Sequence, residues 1–305
     1  LILFSYMEKL MKQRVVELIE FGKAENMRLV EADIPSPASG QIVVKNNAIG
    51  LNYLDTYFRS GLYPWPNEEK IKVLGSEGVG FVHSVGKDVK DFKEGDKVSY
   101  VTPVGAYAEY ALINAAHAVQ IKIKVNDFDV VASTLKGLTT HYLLHLTFNL
   151  KPGMTALVHA AAGGVGQLMG QWGSEIGATM IGTVGGSEKV TAAKNAGYHH
   201  VIDYNDKDFV AEVMQITNNK KCDVVYDSVA KSVFPGSLDC LKPRGLWALF
   251  GQASGPIVDF NLGLLSAKGS LFVTRPTLFS YIANRDEYNN ASLELYSRVA
   301  DGRLK

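Results

Sequence analysis

The chain has 305 residues, enough for two domains that each bury a sizeable core. Its 31 basic and 31 acidic residues leave no net charge, which argues against a dominant role on nucleic acid or on an anionic membrane surface. Two cysteines, Cys222 and Cys240, are too few for a disulfide framework or a cysteine-rich zinc site, so we expect two reduced core thiols and a cytoplasmic protein. No apolar stretch approaches the ~18 residues of a membrane span, so no membrane role is expected.

The first part of the chain, from about residue 14 to about residue 128, predicts an irregular and mainly β domain. Glycine turns rather than helices separate its short strand candidates. These candidates are Ile42–Asn46, Gly78–Gly86, Lys97–Val101 and Ala108–Leu112. Met7–Val16 is a further strand candidate whose register the pattern does not set.

Residues 52–63 form a dense polar and aromatic segment inside that domain. Asn52 offers an amide, and Tyr57 and Tyr63 offer apolar faces with hydroxyl donors, which suits a pocket for a flat substrate whose oxygen gains charge. Asp55 and Arg59 lie four residues apart and are equally compatible with an ion pair on the surface of a helix.

From about residue 129 to residue 274, apolar runs alternate with helical patterns. The runs, each bounded by glycine or polar residues, are Ala156–Ala160, Met180–Val184, His200–Asp203, Asp223–Asp227, Leu246–Phe250 and Ser270–Thr274. The helical patterns between them are Gly166–Gly177, Ser187–Gly197, Lys207–Thr217, Lys231–Leu241 and Leu262–Ala267. This alternation predicts an α/β, doubly wound, six-stranded parallel (Rossmann) sheet. Residues 275–305 are helical in pattern.

The turn after the first of these strands predicts a phosphate-binding site. It carries Gly163, Gly164 and Gly166 in the pattern Ala160-x-x-Gly163-x-x-Gly166, and a helical pattern follows. Glycines let the backbone approach a pyrophosphate closely, and the free N–H groups of the first helical turn point at it. A glycine turn that only closes helix–strand packing is the alternative. The strands that follow in order favour the dinucleotide interpretation.

The end of the second strand indicates which dinucleotide is bound. Where NAD-binding folds carry an Asp or Glu for the ribose 2′-hydroxyl, this chain has Val184–Ser187, without a carboxylate. Lys189 follows, and Tyr204 ends the third strand, which together favour NADPH. Lys189 as a solvated surface lysine is the alternative, and Glu188, a neighbour of the wrong sign, leaves NADH use open.

Neither a metal site nor a nucleophile is indicated. His141 and His145 are four residues apart but lack a His-Glu-x-x-His pattern, and no Gly-x-Ser-x-Gly elbow occurs. Zinc-dependent enzymes of this architecture carry a histidine ligand where this chain has Ser76, and a hydroxyl cannot replace imidazole on zinc. We therefore expect no catalytic metal, and we expect Glu77 to anchor a turn, a buried arginine or a backbone network.

Six segments, in order, resemble the zinc-free quinone oxidoreductases, the zeta-crystallin-like branch of the medium-chain dehydrogenase/reductase superfamily. They are Ala48–Pro64, Leu135–Leu144, His159–Gly166, Gly182–Gly185, Val225–Val229 and Val273–Pro276. The resemblance implies a GroES-like, mainly β catalytic domain formed by residues 1–137 and 275–305, whose C-terminal part is truncated. It implies a Rossmann domain at residues 138–274, NADPH in the cleft between the two, and a homodimer joined through the edges of the cofactor sheets.

The resemblance also implies roles for particular residues. Those implied to hold the cofactor are Asn52 and Tyr142 on the nicotinamide side, Gly163, Gly164 and Val165 at the pyrophosphate, Gly185, Lys189 and Tyr204 at the 2′-phosphate, and Phe250 and Gly251 further along. Tyr57 and Tyr63 are implied to lie in the substrate pocket, with Tyr57, supported by Asn52, as the expected orienting donor.

These observations predict an NADPH:quinone oxidoreductase that transfers reducing equivalents to a quinone without a metal. One alternative is a reductase of alkenals or enoyl thioesters with the same architecture, which needs a proton donor near the alkene and could use a tyrosine. Another is a dinucleotide-binding protein that also binds RNA. The lack of net charge and of an aromatic-basic stripe makes RNA binding secondary.

Overall fold

The structure is a computed structural model that describes residues 12–66 and 71–305. By their contacts the residues divide into two compact units, Leu1–Leu135 with Ile282–Asp301, and Lys136–Tyr281 with Gly302–Lys305. Residues 7–11 of the strand candidate Met7–Val16 lie outside the described residues. Within the described ranges, no helix is both long and apolar enough to cross a membrane.

Strands and helices alternate regularly only in the second unit. The strands are β1 Lys12–Leu18, β2 Met27–Asp33, β3 Gln41–Ile49, β4 Glu77–Val85, β5 Lys97–Val101, β6 Tyr110–Asn114, β7 Ala118–Gln120, β8 Thr155–Val158, β9 Thr179–Val184, β10 His200–Asp203, β11 Cys222–Asp227, β12 Leu241–Leu249 and β13 Phe272–Thr274. The α-helices are α1 Tyr53–Arg59, α2 Asp127–Tyr142, α3 Gly164–Ile176, α4 Val190–Asn195, α5 Phe209–Ile216, α6 Gly236–Asp239, α7 Gly263–Ala267, α8 Leu278–Tyr281 and α9 Arg285–Ala300.

The first unit is built on antiparallel strands, as the sequence predicts. Strands β1 and β2 form a hairpin, and a five-stranded sheet has the order β6-β3-β4-β5-β7. The four interior strand candidates of the sequence correspond to β3, β4, β5 and β6. Strands β2 and β7 were not predicted, because β2 is largely exposed and β7 has only three residues, so neither carries a clear hydrophobic pattern.

Helix α9 closes one side of the first unit through a buried tyrosine. The Tyr296 hydroxyl lies 2.6 Å from Ser99 Oγ and 3.0 Å from Thr134 Oγ1. Burial raises the pKa of Tyr296 to about 12, so the hydroxyl stays protonated and hydrogen-bonded at neutral pH. Helices α8 and α9 also confirm the helical pattern predicted for residues 275–305.

The second unit is a doubly wound α/β fold. Its six parallel strands have the order β10-β9-β8-β11-β12-β13, which is 3-2-1-4-5-6 in chain order and is the arrangement expected of a dinucleotide-binding sheet. The predicted six-stranded parallel sheet is thus confirmed. Cys222 and Cys240 are free and fully buried in its core, and burial raises the pKa of the Cys222 thiol to about 12.

One predicted helix of this unit is wrong in its extent. The sequence pattern predicts Lys231–Leu241, but the structure has helix only at Gly236–Asp239, and Leu241 begins strand β12. Pro235 lacks an N–H group and cannot continue a helical hydrogen-bond ladder through this point. Leu241 pairs with Cys222 on the neighbouring strand, so sheet pairing takes over directly after α6.

A buried polar network crosses the core of the second unit. His159, 1 % exposed, places Nδ1 2.9 Å from Thr183 Oγ1 and Nε2 3.0 Å from Ser237 Oγ. Ser237 and the Trp247 indole N–H both donate to Asp227 Oδ2, at 3.3 Å and 3.1 Å. His159 is thus a core histidine whose two ring nitrogens both have hydrogen-bond partners.

We expect this histidine to make folding sensitive to acid. Burial lowers the pKa of His159 below its usual 6.5, against a smaller opposing effect of Asp227, so the unfolded chain binds a proton that the folded protein does not. Stability then falls as pH drops below about 6.5, by up to about 1.4 kcal/mol per pH unit. When the pH is lowered from 7.5 to 5, the urea concentration at which half of the protein is unfolded should fall less for His159→Gln than for the wild type. Burial also lowers the pKa of His117, which is present in both proteins and cancels. Identical pH profiles would contradict this expectation.

Candidate functional site

Apart from Tyr142, the cofactor residues predicted in the second unit lie after the carboxyl ends of its parallel strands. Gly163 follows β8, Gly185 follows β9, Tyr204 directly follows β10, and Phe250 and Gly251 directly follow β12. Strands β10, β9 and β8 are neighbours, and β11 separates β8 from β12. The chain order reverses between β8 and β11, which is the crevice where open α/β sheets bind their ligands.

The structure of the glycine turn bears on both interpretations of it that the sequence allows. Gly163 caps helix α3 in an extended conformation, and Gly164 and Val165 begin the helix. A Cβ atom on Gly163 would lie 3.1 Å from the Ala160 carbonyl oxygen, whereas one on Gly166 would overlap that oxygen. Gly166 therefore serves close helix–strand packing, and the first turn of α3 keeps N–H groups available for an anion.

Lys136 is a neighbour of this turn that sequence reasoning missed. A Cβ atom on Gly164 would lie 2.7 Å from Lys136 Cδ, so the aliphatic part of the lysine covers the start of helix α3. Lys136 stands in the Leu135–Leu144 segment, but nothing in the spacing indicates that it packs on a turn 28 residues later. The fold thus adds a cationic side chain beside the predicted pyrophosphate loop.

Gly185, Lys189 and Tyr204 are brought together, as the sequence predicts. A Cβ atom on Gly185 would overlap the Tyr204 hydroxyl, so the glycine makes room for that ring. Lys189 Nζ donates to the Gly185 carbonyl oxygen at 3.1 Å. Tyr204 is 38 % exposed, and the Lys189 side chain is also largely exposed, so both groups are accessible to a ligand.

Two carboxylates also lie near this group of residues. Asp203 accepts hydrogen bonds from the Gly186 and Asn205 N–H groups, both at 3.1 Å. The Glu188 carboxylate lies over Gly186, and its Oε1 is 3.6 Å from Lys189 Nζ. Asp203 is held by backbone donors, whereas the Glu188 side chain is 70 % exposed and lies beside Lys189.

Phe250 and Gly251 are anchored by the backbone of the preceding loop. Their N–H groups donate to the Asp227 carbonyl oxygen at 2.8 Å and 3.3 Å. A Cβ atom on Gly251 would lie 2.7 Å from the Ser228 carbonyl oxygen, so this position requires glycine. The chain therefore passes close to the loop after β11, near the centre of the sheet edge.

Tyr142 lies at the end of helix α2 and stacks on another tyrosine. The ring centroids of Tyr142 and Tyr281 are 4.3 Å apart at an interplanar angle of 8°. A π-helical turn, Leu143–Thr147, follows, and Thr147 Oγ1 donates to the Tyr281 hydroxyl at 2.8 Å. Tyr281 is an aromatic neighbour that the sequence analysis did not identify, because 138 residues separate the two rings.

In the first unit, Asn52 stands at the start of helix α1, Tyr57 lies on the helix, and Tyr63 follows its end and packs against Tyr57. Asn52 caps the helix, and its Nδ2 donates to Glu77 Oε1 at 2.7 Å. The Tyr57 and Tyr63 rings are 5.1 Å apart, and Tyr53 packs edge-on against Tyr57 at 5.5 Å. Tyr57 is 8 % exposed, so its ring is largely buried by these neighbours.

Asp55 is buried, and the alternative of a surface ion pair between Asp55 and Arg59 is therefore wrong. Asp55 Oδ1 accepts from Ser76 Oγ at 2.8 Å, and Oδ2 accepts from the Tyr107 hydroxyl at 2.7 Å and from the Asn52 N–H at 2.8 Å. Burial, and then the Asp55 charge, raise the pKa of Tyr107, so its hydroxyl remains a donor. Ser76 thus belongs to a hydrogen-bonded cluster of the protein. Within residues 12–66 and 71–305, no three His, Cys, Asp or Glu side chains are grouped to hold a metal ion.

Two family models match the two parts of the chain. The alcohol dehydrogenase GroES-like domain matches residues 38–123, and the zinc-binding dehydrogenase model matches residues 164–298. Quinone oxidoreductase 1 of Escherichia coli (strain K12) is 45 % identical over 291 residues, which cover 95 % of this chain and 88 % of that protein. The chain belongs to the quinone oxidoreductases of the medium-chain dehydrogenase/reductase superfamily.

Solved structures and a second relative agree with this membership. The crystal structure of Escherichia coli quinone oxidoreductase complexed with NADPH matches with a TM-score of 0.90 at 44 % identity, covering 96 % of this chain and 89 % of that one. The 2-haloacrylate reductase of a Burkholderia species is 42 % identical, over 93 % of this chain and 86 % of that protein. The family resemblance read from the six sequence segments is therefore confirmed.

The packing at the glycine turn predicts unequal effects of two alanine substitutions. Gly166→Ala forces a methyl group into the Ala160 carbonyl oxygen and should destabilise the protein by about 1–3 kcal/mol. Gly163→Ala, the matched control, meets that oxygen at 3.1 Å and should cost less than about 1 kcal/mol. Thermal unfolding without ligand measures both. Equal losses of stability would show that the turn does not distinguish the two positions.

Proposed function

We propose that this protein is an NADPH-dependent quinone reductase that works without a metal. One observation supports the proposal most directly. A chain 45 % identical to a quinone oxidoreductase carries the predicted pyrophosphate and 2′-phosphate residues along one edge of a 3-2-1-4-5-6 sheet. The glycine turn before α3 suits a pyrophosphate, and the accessible Lys189 and Tyr204 beside Gly185 suit a 2′-phosphate.

The residues of the chain would bind, orient and exclude water. NADPH, when bound, supplies the reducing equivalents. In the second unit, the α3 N-terminus and Lys189 would neutralise the phosphate charges of the cofactor. In the first unit, the half-buried Tyr63 would offer a flat apolar surface to the quinone ring, and Tyr57, whose ring is largely buried, would offer its hydroxyl as a donor to the oxygen that gains charge. We propose Tyr57 as the orienting donor and Asn52 as its supporting polar group.

The similarity to a 2-haloacrylate reductase favours one second candidate, the reduction of an activated alkene. That reaction needs a proton delivered to carbon, whereas a reduced quinone oxygen can take its proton from solvent. A tyrosine of the first unit would have to serve as the donor. Tyr57→Phe and Tyr63→Phe are therefore made as two separate variants. The variant that lacks the proton donor should lose alkene reduction, whereas its quinone reduction should only weaken.

A homodimer and a cytoplasmic location belong to the same proposal. Strand β13 is an outer strand of the six-stranded sheet, and an open strand edge is a surface on which a second sheet can pair. Phe272 and Val273 on this strand are 61 % and 37 % exposed. Exposed apolar side chains of this kind are typical of a surface that another protein molecule covers. A monomeric mass in sedimentation at micromolar concentration would contradict the dimer.

A panel of quinones tests the activity. The purified protein should oxidise NADPH in the presence of ortho- or para-quinones, followed by the loss of absorbance of the reduced nicotinamide. Acrylates, enals and enoyl thioesters form the comparison panel. Turnover of alkenes but of no quinone would replace the first function by the second. Tight binding of NADPH without turnover of either panel would contradict the proposal of an enzyme.

A substitution at Lys189 tests the choice of cofactor. Lys189→Ala should weaken NADPH binding about 10-fold to 100-fold, because a charge-assisted contact to the 2′-phosphate is worth about 1.5–3 kcal/mol, and should leave NADH nearly unchanged. Glu188→Gln, the matched control next to it, should strengthen NADPH binding slightly by removing a repulsive charge. Quenching of tryptophan fluorescence measures the affinities of the wild type and of both variants for NADPH and for NADH. Equal losses for both dinucleotides would make Lys189 a surface lysine without a role in binding.

A further inference from the structure

The glycine turn before helix α3 begins with a strained residue. Ala160 has a φ of 54°, in the left-handed region that an L-amino acid adopts only at a cost. Its carbonyl oxygen accepts from the Gly163 N–H at 2.9 Å, which closes the turn. A strained backbone of this kind persists only where the surrounding structure holds it. The contacts that hold this turn therefore decide whether it has its shape before a ligand arrives.

Gln167, one turn into helix α3, supplies two of these contacts. Its backbone N–H donates to the Gly163 carbonyl oxygen at 2.8 Å, as in any regular α-helix. Its side-chain Nε2 donates to the Ala162 carbonyl oxygen at 2.9 Å, a bond that does not belong to the helix. Two consecutive carbonyl oxygens of the turn are thus engaged by one residue.

The side-chain bond fixes the orientation of the peptide unit between Ala162 and Gly163. The oxygen of this unit accepts from Gln167, and its N–H donates to Ala160. Because a peptide unit is planar and rigid, hydrogen bonds at both of its ends determine how it is turned. A carbonyl oxygen carries partial negative charge, and one that faced a phosphate would repel it. Gln167 keeps the Ala162 oxygen engaged within the protein.

We propose that Gln167 is a positioning residue that holds the glycine turn in the conformation that receives the pyrophosphate of a dinucleotide. This inference rests on the proposed function, which assigns the pyrophosphate to this turn. Gln167 needs no contact with the phosphates in this role, because it acts through the Ala162–Gly163 peptide. Without its amide, the turn would reach other conformations, and binding would have to order it, which lowers affinity.

Gln171 offers a matched control on the same helix. Its Nε2 also donates to a backbone carbonyl oxygen, that of Gln167, at 3.2 Å. Its side chain exchanges two further hydrogen bonds with the Lys305 backbone, at 2.9 Å and 3.1 Å. Replacing either glutamine by methionine keeps the length of the side chain and removes its amide. The two variants therefore lose the same kind of bond, but only Gln167→Met loses one to the turn.

Calorimetric titration with four ligands tests the proposal. Gln167→Met should weaken the binding of NADPH, NADH and ADP-ribose about fivefold to tenfold, the expected effect of one lost hydrogen bond, because all three contain the pyrophosphate. Adenosine 2′-monophosphate lacks a pyrophosphate, and its affinity should stay within about twofold. Gln171→Met should leave all the affinities within about twofold, even where it lowers the melting temperature equally. A merely structural role of Gln167 would not separate the ligands in this way.

Amide hydrogen exchange of the ligand-free protein gives a second readout. In Gln167→Met, the Gly163 N–H should exchange about fivefold faster than in the wild type or more, because its peptide unit is no longer held at both ends. In Gln171→Met, its exchange should be unchanged. Gln167→Ala, which also removes the amide, should repeat the pattern of Gln167→Met in both measurements.

The proposal is overturned if Gln167→Met binds NADPH and NADH as the wild type does, or if adenosine 2′-monophosphate loses as much affinity as NADPH. Equal losses of dinucleotide affinity in Gln171→Met would also overturn it. If the wild type binds both dinucleotides but reduces no quinone, the proposed function fails while these measurements still decide the role of Gln167. A wild type that binds neither dinucleotide contradicts both proposals.

Discussion

Both units enclose carboxylates that are shielded from water. Hydrogen-bond donors of the surrounding protein take the place of the water molecules that would otherwise solvate them. Transferring a charged carboxylate into a protein interior costs several kcal/mol unless hydrogen-bond donors surround it. Glu77 meets this requirement with the Asn52 amide and a helix N–H group, and Asp227 meets it with the Trp247 indole and two loop N–H groups. Each such carboxylate fixes chain segments that are distant in sequence.

In the second unit, hydrogen bonds to the buried Asp227 hold the loops at the sheet edge where a dinucleotide would lie. Asp227 ends strand β11, and its side chain holds the following loop through the N–H groups of Val229 and Ala230, at 2.7 Å and 2.9 Å. Its own carbonyl oxygen accepts from Phe250 and Gly251 after the next strand. Two loops on the carboxyl edge of the sheet are therefore tied to a single residue. Loops held in this way are organised before any ligand arrives, which lowers the entropic cost of binding at this edge.

In the first unit, a buried polar cluster surrounds Ser76, at which the sequence predicts no zinc ligand. Ser76 donates to Asp55, and Asp55 in turn receives the Tyr107 hydroxyl and the Asn52 N–H. The cluster joins the start of helix α1 to the strands beneath it. Because α1 also carries Tyr57, the same hydrogen bonds that stabilise the fold determine where this ring and the Asn52 amide lie.

The amino-acid sequence by itself determined the six-stranded parallel sheet, the glycine turn and the grouping of Gly185 with Lys189 and Tyr204. These features follow from hydrophobic periodicity and turn chemistry, which are local, and from the rule that consecutive βαβ units bring strand ends to one edge. The predicted helix Lys231–Leu241 failed because sheet pairing begins at its last residue.

Only the tertiary structure decided which side chains meet across long stretches of chain. Glu77 lies 25 residues from Asn52, and their contact depends on the packing of strand β4 beside helix α1. The contact of Lys136 with the glycine turn and the stack of Tyr142 on Tyr281 arise in the same way. Spacing along a chain sets which face of a helix or strand a residue occupies. The partner it meets there depends on how the elements pack, because one apolar pattern is compatible with many neighbours.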